Sequence, residues 1–151
     1  MITIDDFKSK HSNKVRFIGL DLGSKRIGVS ICDERQSIAT PFKTINKTNI
    51  NELIDELKII IKENNIEGII IGHPINMDGS LGRSAQSVND IATNISKSIN
   101  IPLILWDERL STVGAFNLSS QLDVNVSKRA KLIDQNAAAF ILQGAIDYLN
   151  N

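Results

Sequence analysis

The sequence predicts an α/β domain built on a five-stranded mixed sheet flanked by helices. Three short apolar runs crowd the first third of the chain, joined by links that suit hairpins and are too short for crossovers. Beyond them, apolar runs alternate with helix-sized amphipathic stretches, the signature of parallel strands joined through helices. Length and composition agree: 151 residues, 42% hydrophobic and 23% charged, fit one folded domain over residues 1–151 and exclude a disordered or fibrous chain.

A polar, partly basic lead with Lys8, Lys10, His11 and Lys14 predicts a flexible segment over residues 1–14. Val15 to Gly23, VRFIGLDLG, reads as a strand ended by glycine, and Arg26 to Cys32, RIGVSIC, as a second strand. Ala39 to Ile45 is a weaker third, completing an antiparallel meander. Asn49 followed by Glu52 forms a capping box, after which Ile50, Leu53, Ile54, Leu57 and Ile61 line one helix face.

Glu67 to Pro74, EGIIIGHP, is the unbroken aliphatic run of a strand covered on both faces. Ile75 to Arg83, INMDGSLGR, holds an Asp78-Gly79 turn signal and a second glycine, which predicts a mobile loop. A helix follows with Val88, Ile91, Ala92, Ile95 and Ile99 in one stripe, then a strand over Pro102 to Arg109, a helix over Ser111 to Leu122 and a last helix reaching Tyr148. The predicted order is βββαβαβαα.

Seventeen basic residues balance seventeen acidic ones, so a nucleic acid would have to be met by a local patch and not by bulk charge. Cys32 is the only cysteine, which rules out an intrachain disulfide and suits a reducing compartment, the cytosol. The acidic start, MITIDDFK, lacks the basic and apolar regions of a secretory peptide. No run approaches the roughly 18 apolar residues needed to cross a bilayer, so no membrane insertion is expected.

Three acids stand where apolar or small residues are expected. Asp21 interrupts an aliphatic strand, with Gly19 and Gly23 two residues either side on the same face leaving room beside it. Asp107-Glu108-Arg109 closes the strand PLILW at its carboxyl end, where open α/β sheets place their ligand crevice. Alternation puts Asp107 and Glu108 on opposite faces, so only one can share a site with Asp21, and spacing leaves open which. Asp134 precedes Ala137, Ala138, Ile141 and Ala145 by three, four, seven and eleven residues, continuing the apolar face of the last helix.

Each acid alone has an ordinary explanation: a strand-end cap toward Ser24, an exposed strand end with Arg109 paired to an acid, a helix cap or first-turn acid at Asp134. Together they suit one site only if cations neutralise them. Oxygen ligands favour hard cations, and two Mg2+ or Mn2+ ions about 4 Å apart suit phosphodiester hydrolysis.

FIGLDLGSKRIGVSICD, IIIGHPINMDGSLGRSAQSV, LWDERLSTVGA and IDQNAAAFILQ occur in that order between Arg16 and Leu149. Together they resemble the YqgF family, also called RuvX, whose members are described as pre-16S ribosomal RNA nucleases and earlier as Holliday junction resolvase-like proteins. The resemblance implies a ribonuclease H-like fold. It also implies that Asp21, Glu108 and Asp134 form the catalytic, metal-binding set, which chooses Glu108 over Asp107. It further gives Lys25, Arg26, Arg83, Arg109, Lys128, Arg129 and Lys131 to a rim that binds the nucleic-acid backbone, the last three placed before the final helix. His73 is read as a satisfied structural histidine and Trp106 as core.

The expected activity is metal-dependent hydrolysis of phosphodiester bonds in 5′-end maturation of pre-16S ribosomal RNA, with RNA favoured over DNA as partner. Resolution of branched DNA is the first alternative and a non-catalytic nucleic-acid or ribosome-associated domain the second. Gly19 to Ser24 also resembles the phosphate turn of sugar kinases and actin-like ATPases, which need two such domains. No heptad or apolar stripe announces a stable dimer, so a monomer or weak homodimer is expected.

Overall fold

The structure, a computed structural model, describes residues 1–10, 15–110 and 126–150, with the backbone alone for residues 9–10 and 126–135. A five-stranded sheet runs in the order β3-β2-β1-β4-β5. Its strands are β1 (Arg16–Leu22), β2 (Arg26–Cys32), β3 (Ala39–Asn46), β4 (Ile66–His73) and β5 (Leu103–Asp107). As the short links predict, β1, β2 and β3 are an antiparallel meander, while β4 pairs parallel with β1 and β5 parallel with β4.

Strand alternation divides the core into two layers. Ile18, Leu20, Ile27, Val29, Ile69 and Ile71 pack against α2 (Ile50–Glu63) and α3 (Arg83–Ser98). The side chain of Asn49 accepts from the Glu52 amide at 2.9 Å, capping α2 as its sequence signals. Leu53, Ile54, Leu57 and Ile60 are the buried residues of α2, and Ala85, Val88, Ala92 and Ile95 those of α3.

Phe17, Cys32, Ile70, Ile104 and Trp106 point the other way, onto the last helix, α4 (Val126–Leu149), which adds Ile141, Leu142, Ala145 and Ile146. Trp106 is core as expected, edge-on to Tyr148 with ring centroids 5.7 Å apart. The segment expected to be flexible instead carries a helix, α1 (Ile4–Lys10). Its reason is Phe7, fully buried against Phe17 in space that Gly68 leaves, with an added Cβ there standing 2.6 Å from the Phe7 ring. Ile2 donates to the Leu103 carbonyl at 3.1 Å, so this segment lies along the β5 edge. The helix expected over 111–122 lies outside the described residues.

α4 is seated on the meander by small groups. Ser30 Oγ donates to the Ala138 carbonyl at 2.7 Å, and a Cβ on Gly19 would stand 2.5 Å from Ser30 Oγ and 2.7 Å from Leu142 Cβ. Gly19→Ala should therefore lift the helix and destabilise the fold by about 1–3 kcal/mol in urea unfolding. Adding Ser30→Ala removes the nearest clash, so the double variant should lose less than the sum of the singles. A Gly19→Ala protein as stable as the parent would contradict this seating.

Candidate active site

Asp21 is the penultimate residue of β1, half-buried, on the face that carries Phe17 and Gly19 beneath α4. Glycine surrounds it on every side the sheet offers. Gly19 precedes it on its own face, Gly23 follows just beyond the strand, Gly28 is its antiparallel partner on β2, and Leu20 pairs with Ile71, which sets Gly72 beside it on β4. The Gly23 amide donates to the Asp21 carbonyl at 3.1 Å, closing the turn directly after the carboxylate. A carboxylate in a strand interior is expensive to desolvate, and the glycines beside it let α4 and Glu108 approach this face closely, Gly19 toward Leu142 and Gly72 toward Ile141 and Glu108.

Glu108 follows β5 as the first residue of a 3-10 turn, Glu108–Leu110. Ile104 and Trp106 lie in the α4 layer and Glu108 continues their alternation, so Glu108 shares a face with Asp21 while Asp107 does not. A Cβ on Gly72 would stand 2.9 Å from Glu108 Oε1 and 2.5 Å from Ile141 Cδ1, so Gly72 admits the carboxylate between sheet and helix. Burial first, then the charges of Asp21 and Asp107, together push the Glu108 carboxyl up from its ordinary 4.5 to about 7. Two acids facing each other in partial burial form an oxygen-only donor set suited to a hard divalent cation.

Asp134 lies on α4 one turn before Ala138, the residue whose carbonyl meets Ser30 over the β1 face; its side chain is outside the described residues. α4 is described from Val126 onward, so Asp134 stands more than two turns inside it, and the helix-cap or first-turn explanation is corrected. Ser127, Lys128, Arg129, Ala130 and Lys131 contain no breaker, which lets the helix extend back through them. Lys128, Arg129 and Lys131 accordingly fall within α4 and not before it, with side chains outside the described residues. Among the described residues no group of three His, Cys, Asp or Glu side chains could hold a metal ion; the described part of the set is the pair Asp21 and Glu108.

Of the expected rim, Lys25, Arg26 and Arg83 are exposed, the first two at the turn after Asp21 and the third opening α3. Arg109 is committed elsewhere, in a bidentate ion pair with Asp107 whose closest approach, Nη2 to Oδ2, is 2.7 Å. The loop expected to be mobile is cross-linked. Asn76 donates its amide to the Ser80 carbonyl at 3.0 Å, Ser80 donates its amide and hydroxyl to Asp78 Oδ1 at 2.9 and 2.6 Å, and Gly79 takes φ +87° between them. His73 alternates onto the opposite face from Asp21 and is buried, and its Nε2 has no partner among the described residues. Gly28 and Gly72 are the contributors missed from sequence, although a glycine inside an aliphatic strand is itself a mark of close approach.

The family model described as "RuvX: Holliday junction resolvase" matches residues 15–148. The chain belongs to the RuvX family. A relative from Pelagibacter ubique, named "Putative pre-16S rRNA nuclease", is 88% identical over 151 residues, covering 100% of both chains. A RuvX relative of the same name from Rhodobacter capsulatus is 42% identical, over 97% of this chain and 92% of its own. Among solved structures, Thermus thermophilus RuvC in complex with a Holliday junction substrate aligns with TM-score 0.55 at 10% identity, over 89% of this chain and 94% of that one. The yeast mitochondrial Holliday junction resolvase Ydc2 aligns with TM-score 0.52 at 11% identity, over 97% and 84%. At such identities the likeness concerns the fold, and this RuvX chain has the ribonuclease H-like architecture its motifs imply.

Because the folded-state pKa of Glu108 lies above its ordinary value, the protonated form favours folding. That contribution is complete below pH 4.5 and is lost as pH rises through about 7. In chelator-treated protein, urea unfolding should show this loss, and Glu108→Gln should abolish that part of the pH dependence. An unchanged profile in the variant would show that Glu108 does not titrate in this range.

Proposed function

We propose that this chain is a divalent-cation-dependent nuclease that hydrolyses phosphodiester bonds in 5′-end maturation of pre-16S ribosomal RNA in the cytosol. The observation that carries the reading is the facing of Asp21 and Glu108 across a floor of glycines beneath α4. Membership of RuvX and the names of its relatives supply the substrate class.

Asp21, Glu108 and Asp134 would hold Mg2+ or Mn2+, two ions in the fullest form of the site. Such cations, when bound, supply activation of water and neutralisation of phosphate charge. The chain's own contribution begins with packing: Gly19 lets α4 lie close on β1, and Gly72 admits the Glu108 carboxylate between sheet and helix on the face that carries Asp21. Glu108, protonated in part near neutral pH without a cation, gives up that proton when it becomes a ligand. Exposed Lys25, Arg26 and Arg83 steer the nucleic-acid backbone toward this end of the sheet.

The test is cleavage of an end-labelled pre-16S RNA, with a four-way DNA junction beside it, in Mg2+ or Mn2+. The RNA should be cut, and Asp21→Asn should slow cutting by at least about 100-fold, since even outer-shell changes at metal sites cost 10- to 100-fold. Equal cutting by Asp21→Asn would overturn the site, and cutting of the junction alone would overturn RNA as substrate. Cleavage by a protein that remains monomeric in solution would separately argue against junction resolution, which needs two symmetric incisions.

A further inference from the structure

We propose that Arg109 is a positioning residue, one that braces Glu108 through Asp107 and does not contact the phosphate backbone. The proposal rests on the nuclease reading of the same site and reassigns one of its cations.

Asp107 and Arg109 flank Glu108 in sequence and close a ring around it. The Arg109 amide donates to Asp107 Oδ1 at 3.0 Å, Nε donates to Oδ1 at 3.0 Å and to Oδ2 at 3.1 Å, and Nη2 donates to Oδ2 at 2.7 Å. One carboxylate thus takes both the backbone and the fork of the residue two places on, which fixes the peptide planes either side of Glu108. The pair is partly sheltered, with side-chain exposures of 22% for Asp107 and 32% for Arg109. The remaining arm, Nη1, reaches the Asn76 carbonyl at 3.5 Å, so the brace also abuts the cross-linked loop after β4.

The consequence for Glu108 is directional. Its carboxylate must lie over Gly72 against Ile141, where it faces one like charge in Asp21 and has a second next to it in sequence. The guanidinium neutralises that second charge and holds the turn that aims the side chain across the sheet. Lysine carries the same charge but a single-point ammonium, and cannot make the fork.

That difference decides the test, which compares Arg109→Lys, Arg109→Gln and Asp107→Asn with the parent. Mn2+ binding is measured by titration calorimetry, and RNA binding in EDTA across a salt series. A brace predicts Mn2+ binding about 10-fold or more weaker in all three variants, with lysine failing to rescue and the Asp107→Asn, Arg109→Gln double no worse than the worse single. The salt slope of RNA binding should be unchanged in the two Arg109 variants. A phosphate contact predicts the reverse: Mn2+ affinity unchanged, Arg109→Lys near parental, and Arg109→Gln lowering the slope by about 1, which would overturn the proposal. Parent protein that binds no Mn2+ would instead sink the nuclease reading on which the brace depends.

Discussion

Everything at the carboxyl end of this sheet depends on how closely α4 lies on β1 and β2. The contact is made by absence of bulk: glycine at 19, a hydroxyl at 30 and alanines along the helix let backbone approach backbone until Ser30 reaches the Ala138 carbonyl. Had β1 carried ordinary side chains on this face, the helix would stand further off, and the space holding Glu108 between Gly72 and Ile141 would open to water. The same small groups that seat the helix therefore set the dielectric in which the two carboxylates meet. Packing and electrostatics here are one constraint viewed from two directions.

The site is held against its own preferences. Two acids in partial burial repel; the fold keeps them together because strand pairing, the α4 contact and the Asp107–Arg109 ion pair over-determine their positions. A neutral chain can still attract a polyanion under such an arrangement. Negative charge gathered at one point is where divalent cations would add positive charge, so the balance of seventeen against seventeen understates what phosphate would meet.

Much of this was legible in the chain, for reasons that can be named. α2 and α3 declared themselves because each buries one face with a helical period, β4 because its aliphatic run is covered on both faces, and Asp21 stood out because it interrupts an aliphatic strand between two glycines. The choice between Asp107 and Glu108 became geometric only with the alternation of Ile104 and Trp106 beneath α4 in view. Long-range terms hid the rest. The burial of Phe7 depends on Gly68, some sixty residues away, and the cross-linking of the loop after β4 depends on hydrogen bonds that composition does not encode. The start of α4 was misread because its first turns are polar and lack the apolar stripe that marks helices, although nothing in them opposes a helix.

The bond between Ser30 and Ala138 joins residues 108 apart in sequence, and it has a meaning in time as well as in space. The meander can pair from neighbouring segments early, but the face bearing Asp21 stays uncovered until β4, β5 and finally α4 arrive. During synthesis the carboxylate is bathed in water and its partner acid is remote. The partial burial that distinguishes this pair therefore requires segments from both ends of the fold, β1 and α4, to be docked together.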